Sequence, residues 1–162
     1  MAEASALRLG GHSYGPYQRL VMAIVNRTPD SFYDKGATYE LGAAMQRVHE
    51  VVAVGADVVD VGGVKAAPGA EVSPEEEIRR IADLIAAVRA AYPDLVISVD
   101  TYRHEVAEAG CAAGANLIND AWGGVDDKLL EVERRAWCCP GLLRTPVGYR
   151  PVPGHTGSPT TT

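Results

Sequence analysis

The chain has 162 residues, 47% of them hydrophobic and 22% charged, which is ordinary globular composition with enough length for one buried core. A formal net charge of −6, with no basic run longer than two residues, speaks against a nucleic-acid surface, because neutralising phosphates needs clustered Lys and Arg. Apolar runs fall far short of a bilayer span, and Met1 to Gly11 lacks the charged-then-apolar layout of a secretory leader, so no membrane partner is expected and a cytoplasmic location follows by default.

Alternating strand and helix signals begin at Leu20. Leu20 to Val25 reads as a buried strand, and Leu41, Ala44, Met45, Val48 and Val52 then recur at helical spacing up to Gly55, which suits a left-handed helix cap. Asp57 to Val61 is the next strand. Ser73-Pro74-Glu75-Glu76 then supplies an N-cap, a first-turn proline and a capping-box Glu, and Ile78, Ile81, Ile85 and Val88 form the apolar face of the helix that follows. Tyr92-Pro93-Asp94 breaks this helix, and Leu95 to Val99 is a third strand. Val106, Ala109 and Ala113 mark a third helix closed by Gly114, with Cys111 a small buried residue on it, and Asn116 to Ile118 is a fourth strand. Cys111 and the adjacent Cys138 and Cys139 form no Cys-x-x-Cys pair, so neither a zinc ribbon nor a disulfide framework is indicated. No histidine has a spacing partner for a metal site.

Gly55-Ala56-Asp57-Val58-Val59-Asp60 is echoed by Gly114-Ala115-Asn116-Leu117-Ile118-Asn119, each a helix stop, a strand with large aliphatics and a polar end. The repeat indicates recurring βα units in either an open doubly wound sheet or a closed barrel. The barrel is favoured, because no Gly-x-Gly-x-x-Gly follows the first strand. Beyond Arg135 the pattern fails. Residues 136–162 carry half of the ten prolines and no apolar run long enough for a fifth strand, so residues 1–135 read as the domain and 136–162 as an unstructured tail.

Four strands therefore end on polar residues: Asn26, Asp60, Asp100 and Asn119. In a parallel barrel those ends share one face, where ligands bind. The segment Asn26 to Asp34 could hold a hard cation beside a diphosphate with charge from Arg27 and Lys35, or it could be a capping turn satisfying its own backbone. The loop Gly62 to Ala70 could approach an anion or serve as a plain connector. Asp100 or Thr101 would cap the third helix whether or not a ligand binds, and Asn119-Asp120 reads equally as site and as loop staple.

Asn26-x-Thr28-Pro29-Asp30-Ser31-Phe32, Asp60-Val61-Gly62-Gly63 with Pro68-Gly69-Ala70, Ser98-Val99-Asp100-Thr101 and Ile118-Asn119-Asp120, in that order over residues 18–135, resemble the dihydropteroate synthase family. The resemblance implies a (β/α)8 TIM-barrel fold, of which about the first four βα units would be present. It also implies the joining of 6-hydroxymethyl-7,8-dihydropterin diphosphate to p-aminobenzoate in folate biosynthesis. Asn26 would help bind Mg²⁺ and diphosphate, and Asp100 and Asn119 would hydrogen-bond the pterin.

Where the family carries Glu-Ser-Thr-Arg, this chain has Val64-Lys65-Ala66-Ala67, so the Thr and Arg that engage diphosphate and the p-aminobenzoate side are replaced by Ala66 and Ala67, with Lys65 restoring charge without a forked geometry. The family's later strands, with a further Asp, a Lys and an Arg-x-His, have no counterpart in the sequence, and the homodimer contacts expected in its later helices are likewise missing. The break inside the helical stretch Lys128 to Arg135 reads as a truncation or a reading-frame shift. The expectation is an inactive or severely impaired synthase paralogue. The alternatives are a non-catalytic pterin-binding protein, a non-functional fragment, and a related folate-binding barrel that moves a methyl group to a corrinoid.

Overall fold

The computed structural model describes residues 6–27, 37–64, 72–121, 124–135 and 141–144. It begins with a hairpin that the sequence patterns did not announce. β1 (Leu7–Leu9) and β2 (His12–Tyr14) pair antiparallel, with Gly10 and Gly11 at φ of +53° and +86° making the two-residue turn.

Five parallel strands follow: β3 (Met22–Asn26), β4 (Val58–Gly62), β5 (Val96–Asp100), β6 (Leu117–Asp120) and β7 (Gly141–Arg144). Between them run α1 (Ala37–Ala53), α2 (Pro74–Ala91), α3 (His104–Ala113) and α4 (Leu129–Arg135). Their starts are local chemistry. Ser73 caps α2, its Oγ accepting from the Glu76 amide at 3.3 Å, with Pro74 in the first turn. Gly55 and Gly114, at φ of +97° and +118°, let the chain leave α1 and α3 at the two echoed positions. The echo has a further physical content: Asp57 Oδ2 accepts from Val21 N at 2.8 Å and Asn116 Oδ1 accepts from Ile97 N at 3.1 Å, so each polar side chain ties its strand to the preceding one.

Strand order in space follows strand order in the chain, without reversal. A doubly wound sheet reverses at a switch point and carries helices on both faces, whereas here one face takes the helices. Val25, Val59, Val61, Ile97, Val99 and Ile118 point outward into a core with Ala44, Val48, Ile81, Leu84, Ile85 and Val88. The inward residues Val58, Val96 and Leu117 instead meet Leu9 of the hairpin, which is 4% exposed and floors the sheet's interior. This is the layering of a (β/α)8-type barrel.

Two expectations are corrected. Gly141–Arg144 lies in the segment read as an unstructured tail, yet it pairs with β6 from Leu117↔Gly141 to Asp120↔Arg144. Five residues between Pro140 and Pro146 are too few for periodicity to register, and the free edge of β6 supplies the pairing instead. The rest of 136–162 lies outside the described residues. Cys111 is buried on α3 as read, but its sulfur is in a disulfide, a bond the cysteine spacing did not indicate. No helix among the described residues is long and apolar enough to cross a membrane.

Candidate functional site

The register places Asn26, Gly62, Asp100 and Asn119 opposite one another across four strands. Parallel strands alternate their side chains between faces, so these four share the inward face at the carboxyl end, and Ile24, Asp60, Ser98 and Leu117 form the layer beneath. The expected site residues Asn26, Asp100 and Asn119 are thus brought to one level. Lys65, Ala66 and Ala67 lie outside the described residues, as does the loop from Thr28 to Gly36.

Gly62 is bare for a reason. A Cβ there would sit 2.6 Å from Asn26 Oδ1 and 3.6 Å from Asp100 Oδ2, so the missing side chain is what lets the amide and the carboxylate lie over the same point. One layer down, Asp60 is 2% exposed, and its Oδ2 accepts a hydrogen bond of 3.0 Å from Asn119 Nδ2. Burial raises the Asp60 carboxyl above its ordinary value, while the adjoining Ser98 hydroxyl and the Asn119 amide pull it part of the way back. Asp100 is raised to about 6, first by burial and then by the negative neighbours Asp60, Glu77 and Asp120. Asp60 Oδ1 and Asp100 Oδ1 are both buried without a hydrogen-bond partner.

Adjacent residues on β6 divide two roles. Asn119 faces the interior, and the fully buried Asp120 accepts from Gly124 N at 2.7 Å as a loop staple. The α3 cap also differs from expectation. Arg103 is the N-cap residue and supplies no side-chain cap, and the His104 amide is instead held by Asp126 Oδ2 at 2.9 Å. Thr101 donates to Glu77 Oε1 at 2.8 Å and accepts from the Arg103 amide at 3.2 Å, so its hydroxyl serves the residue before the helix and not the first helical amides. The same Asp126 oxygen meets His104 Nδ1 at 2.7 Å, and with Glu105 these groups put three ligand-capable atoms within 4.8 Å of one another. Residue spacing could not show this grouping, because Asp126 comes from the segment after β6.

A second tier holds the loops above the site. Glu77, 1% exposed, accepts from Thr101 and from Arg103 Nη1 at 2.8 Å, and Arg103 Nη1 also reaches Val72 O at 2.8 Å. Arg80 Nη1 donates to Gly63 O at 3.0 Å, and the buried Arg27 donates through Nη1 to Arg80 O at 2.8 Å. The sequence reading missed Glu77 and Arg103. The available signal was an acid at position 77 on the same helical stripe as Ile81, Leu84, Ile85 and Val88.

A family model described as pterin binding enzyme matches residues 22–139. The chain belongs to the pterin binding enzyme family. Within it, the chain is 64% identical over 113 residues to the inactive dihydropteroate synthase 2 of Mycobacterium tuberculosis, a match covering 70% of this chain and 36% of the relative. It is 44% identical over 124 residues to the dihydropteroate synthase of Clostridium beijerinckii, covering 75% and 46%. Among solved structures, the Xanthomonas albilineans dihydropteroate synthase bound to indole-2-carboxylic acid and 6-chloroguanine superposes with a TM-score of 0.76 at 34% identity, covering 86% of this chain and 51% of that one. The Burkholderia cenocepacia enzyme complexed with 7,8-dihydropteroate gives 0.66 at 34% identity, covering 80% and 42%. The chain is thus a dihydropteroate synthase homologue, as the four strand-end motifs implied, and it spans between 36% and 51% of the length of these relatives.

Proposed function

We propose that this pterin binding enzyme homologue holds a reduced pterin through Asp100 and Asn119 but makes dihydropteroate poorly or not at all. The observation that carries the reading is the pair on adjacent strands: an Asp100 carboxylate with a buried, unpartnered Oδ1 opposite the Asn119 amide in the sheet register. An unpaired buried acceptor costs about 1–3 kcal/mol, which a ring edge carrying N–H donors would recover on binding.

Asn26 would take part in holding Mg²⁺. Its Oδ1 lies over Gly62 close to the Asp100 carboxylate, giving hard oxygen donors of the kind Mg²⁺ accepts beside a diphosphate. When bound, the ion would supply charge neutralisation for the departing diphosphate. The chain's own residues orient the ring. Glu77 and Arg103 brace the loop after Asp100, and Arg80 braces Gly63.

Weak or absent turnover is supported by Lys65-Ala66-Ala67, which offers a single ammonium charge in place of a forked guanidinium and a hydroxyl. It is also supported by the mycobacterial relative, which is itself named inactive. The proposed partner is a small pterin, met in the cytoplasm, with neither membrane nor nucleic acid involved. Calorimetry with 6-hydroxymethyl-7,8-dihydropterin diphosphate and Mg²⁺, followed by a diphosphate-release assay with p-aminobenzoate, tests the proposal. Binding without release is expected. Turnover at a normal synthase rate would overturn the impaired reading, and absence of binding would leave a non-functional fragment.

A further inference from the structure

Asn119 and Asp60 sit at different depths. Asn119 shares its level with Asp100, whereas Asp60 belongs to the layer below, opposite Ser98. They still touch, through Asn119 Nδ2 and Asp60 Oδ2 at 3.0 Å. An ionised carboxylate only accepts hydrogen bonds, so this contact can be made by the nitrogen branch of the amide and not by its oxygen. The two branches have nearly the same shape, and only a hydrogen-bond partner decides which way such an amide is turned.

We infer that Asp60 is a positioning residue that fixes the flip of Asn119, leaving Asn119 Oδ1 beside Asp100 so that the mouth presents acceptors and selects ring edges built of N–H donors. This rests on the pterin-binding reading and adds to it the source of selectivity. Asp100 Oδ1, buried and unpartnered at the level of Asn119, extends the same acceptor set. A 2-amino-4-oxopteridine brings an amino group and a ring N–H side by side to such an edge. A 2,4-dioxopteridine replaces the amino group with a carbonyl and sets acceptor against acceptor, which burial makes expensive. Asp60 thereby acts on the ligand through Asn119 even where it makes no contact itself.

The test uses Asp60→Asn in the full chain, a nearly isosteric change after which two amides can pair in either sense. Selectivity for 6-hydroxymethylpterin over the matching 2,4-dioxo compound is expected to fall by about tenfold or more, the scale of one charge-assisted hydrogen bond. A selectivity ratio left within about twofold of the wild type would overturn the inference. A readout that needs neither ligand nor variant is the side-chain amide of Asn119 by NMR. One of its two protons should be exchange-protected and shifted by the carboxylate, and two equally exchanging protons would also overturn the inference. If the protected proton is present but the wild type binds neither compound, the positioning role stands and the pterin reading is what fails.

Discussion

Asp100→Asn removes a charge that burial and three acidic neighbours disfavour. The carboxyl is raised from 3.8 to about 6, by burial first and by Asp60, Glu77 and Asp120 after it. At about 1.4 kcal/mol per pH unit, that gap is on the order of 3 kcal/mol, and because the group is only partly buried, solvent screening reduces it to roughly 1–2 kcal/mol. The sign follows from linkage. With the folded value above the unfolded one, the folded chain holds the proton longer, so the stability due to this group is full below about pH 3.8 and is lost as the pH rises through about 6. Asn cannot ionise. Urea denaturation of wild type and Asp100→Asn should therefore show the variant more stable by about 1–2 kcal/mol at pH 8, with the advantage fading toward pH 4. The same variant should lose pterin affinity, because a charged, acceptor-only carboxylate gives way to a neutral amide with one branch that can only donate. A difference that does not change with pH, or a wild type more stable than the variant at pH 8, would refute the electrostatic account of the site.

Glu77→Ala strands Arg103 and Thr101 without their buried partner, and chemical denaturation should register a loss of about 3–5 kcal/mol. Gly62→Ala drives a methyl group into Asn26 Oδ1, whose distance to the added Cβ would be 2.6 Å, so calorimetry should show that Mg²⁺ no longer strengthens binding of the pterin diphosphate. Leu9→Ala opens the floor formed with Val58, Val96 and Leu117, and the midpoint of thermal unfolding should fall in line with about 2–5 kcal/mol. If Leu9→Ala melts like the wild type, the hairpin does not seal the sheet.

The four parallel strands from Leu20 to Asn119 and the helices between them were legible because each strand is an apolar run and each helix keeps one apolar stripe. Strand starts came out one or two residues early, since Leu20, Asp57, Leu95 and Asn116 continue the pattern while their backbones serve as connectors. That shift matters for function. Asn26, Asp100 and Asn119 lie inside the strands and not after them, which is why the register can align them. β1 and β2 were illegible because three residues cannot show alternation, and Leu9 becomes core only when Val58 and Val96 meet it. β7 escaped for the same reason.

At the site, parity along the strands makes Asp60, Asp100 and Asn119 face one way, which the alternation of side chains allows a reader to infer. The hydrogen bond between Asn119 and Asp60 depends on the stagger between strands, and the capping of α3 by Asp126 depends on a contact spanning 22 residues, so neither was available from spacing. Glu77 was hidden within the acidic first turn of α2, where three successive Glu residues look like a solvated cap.

The central claim is that the pterin ring is held by the acceptors of Asp100 and Asn119. Calorimetric titration of 6-hydroxymethylpterin diphosphate with Mg²⁺ into the wild type and into Asn119→Ala tests it most directly. Saturable one-site binding to the wild type is expected, weakened by about tenfold or more in the variant. Equal affinity for both proteins, or no binding to the wild type, would contradict it.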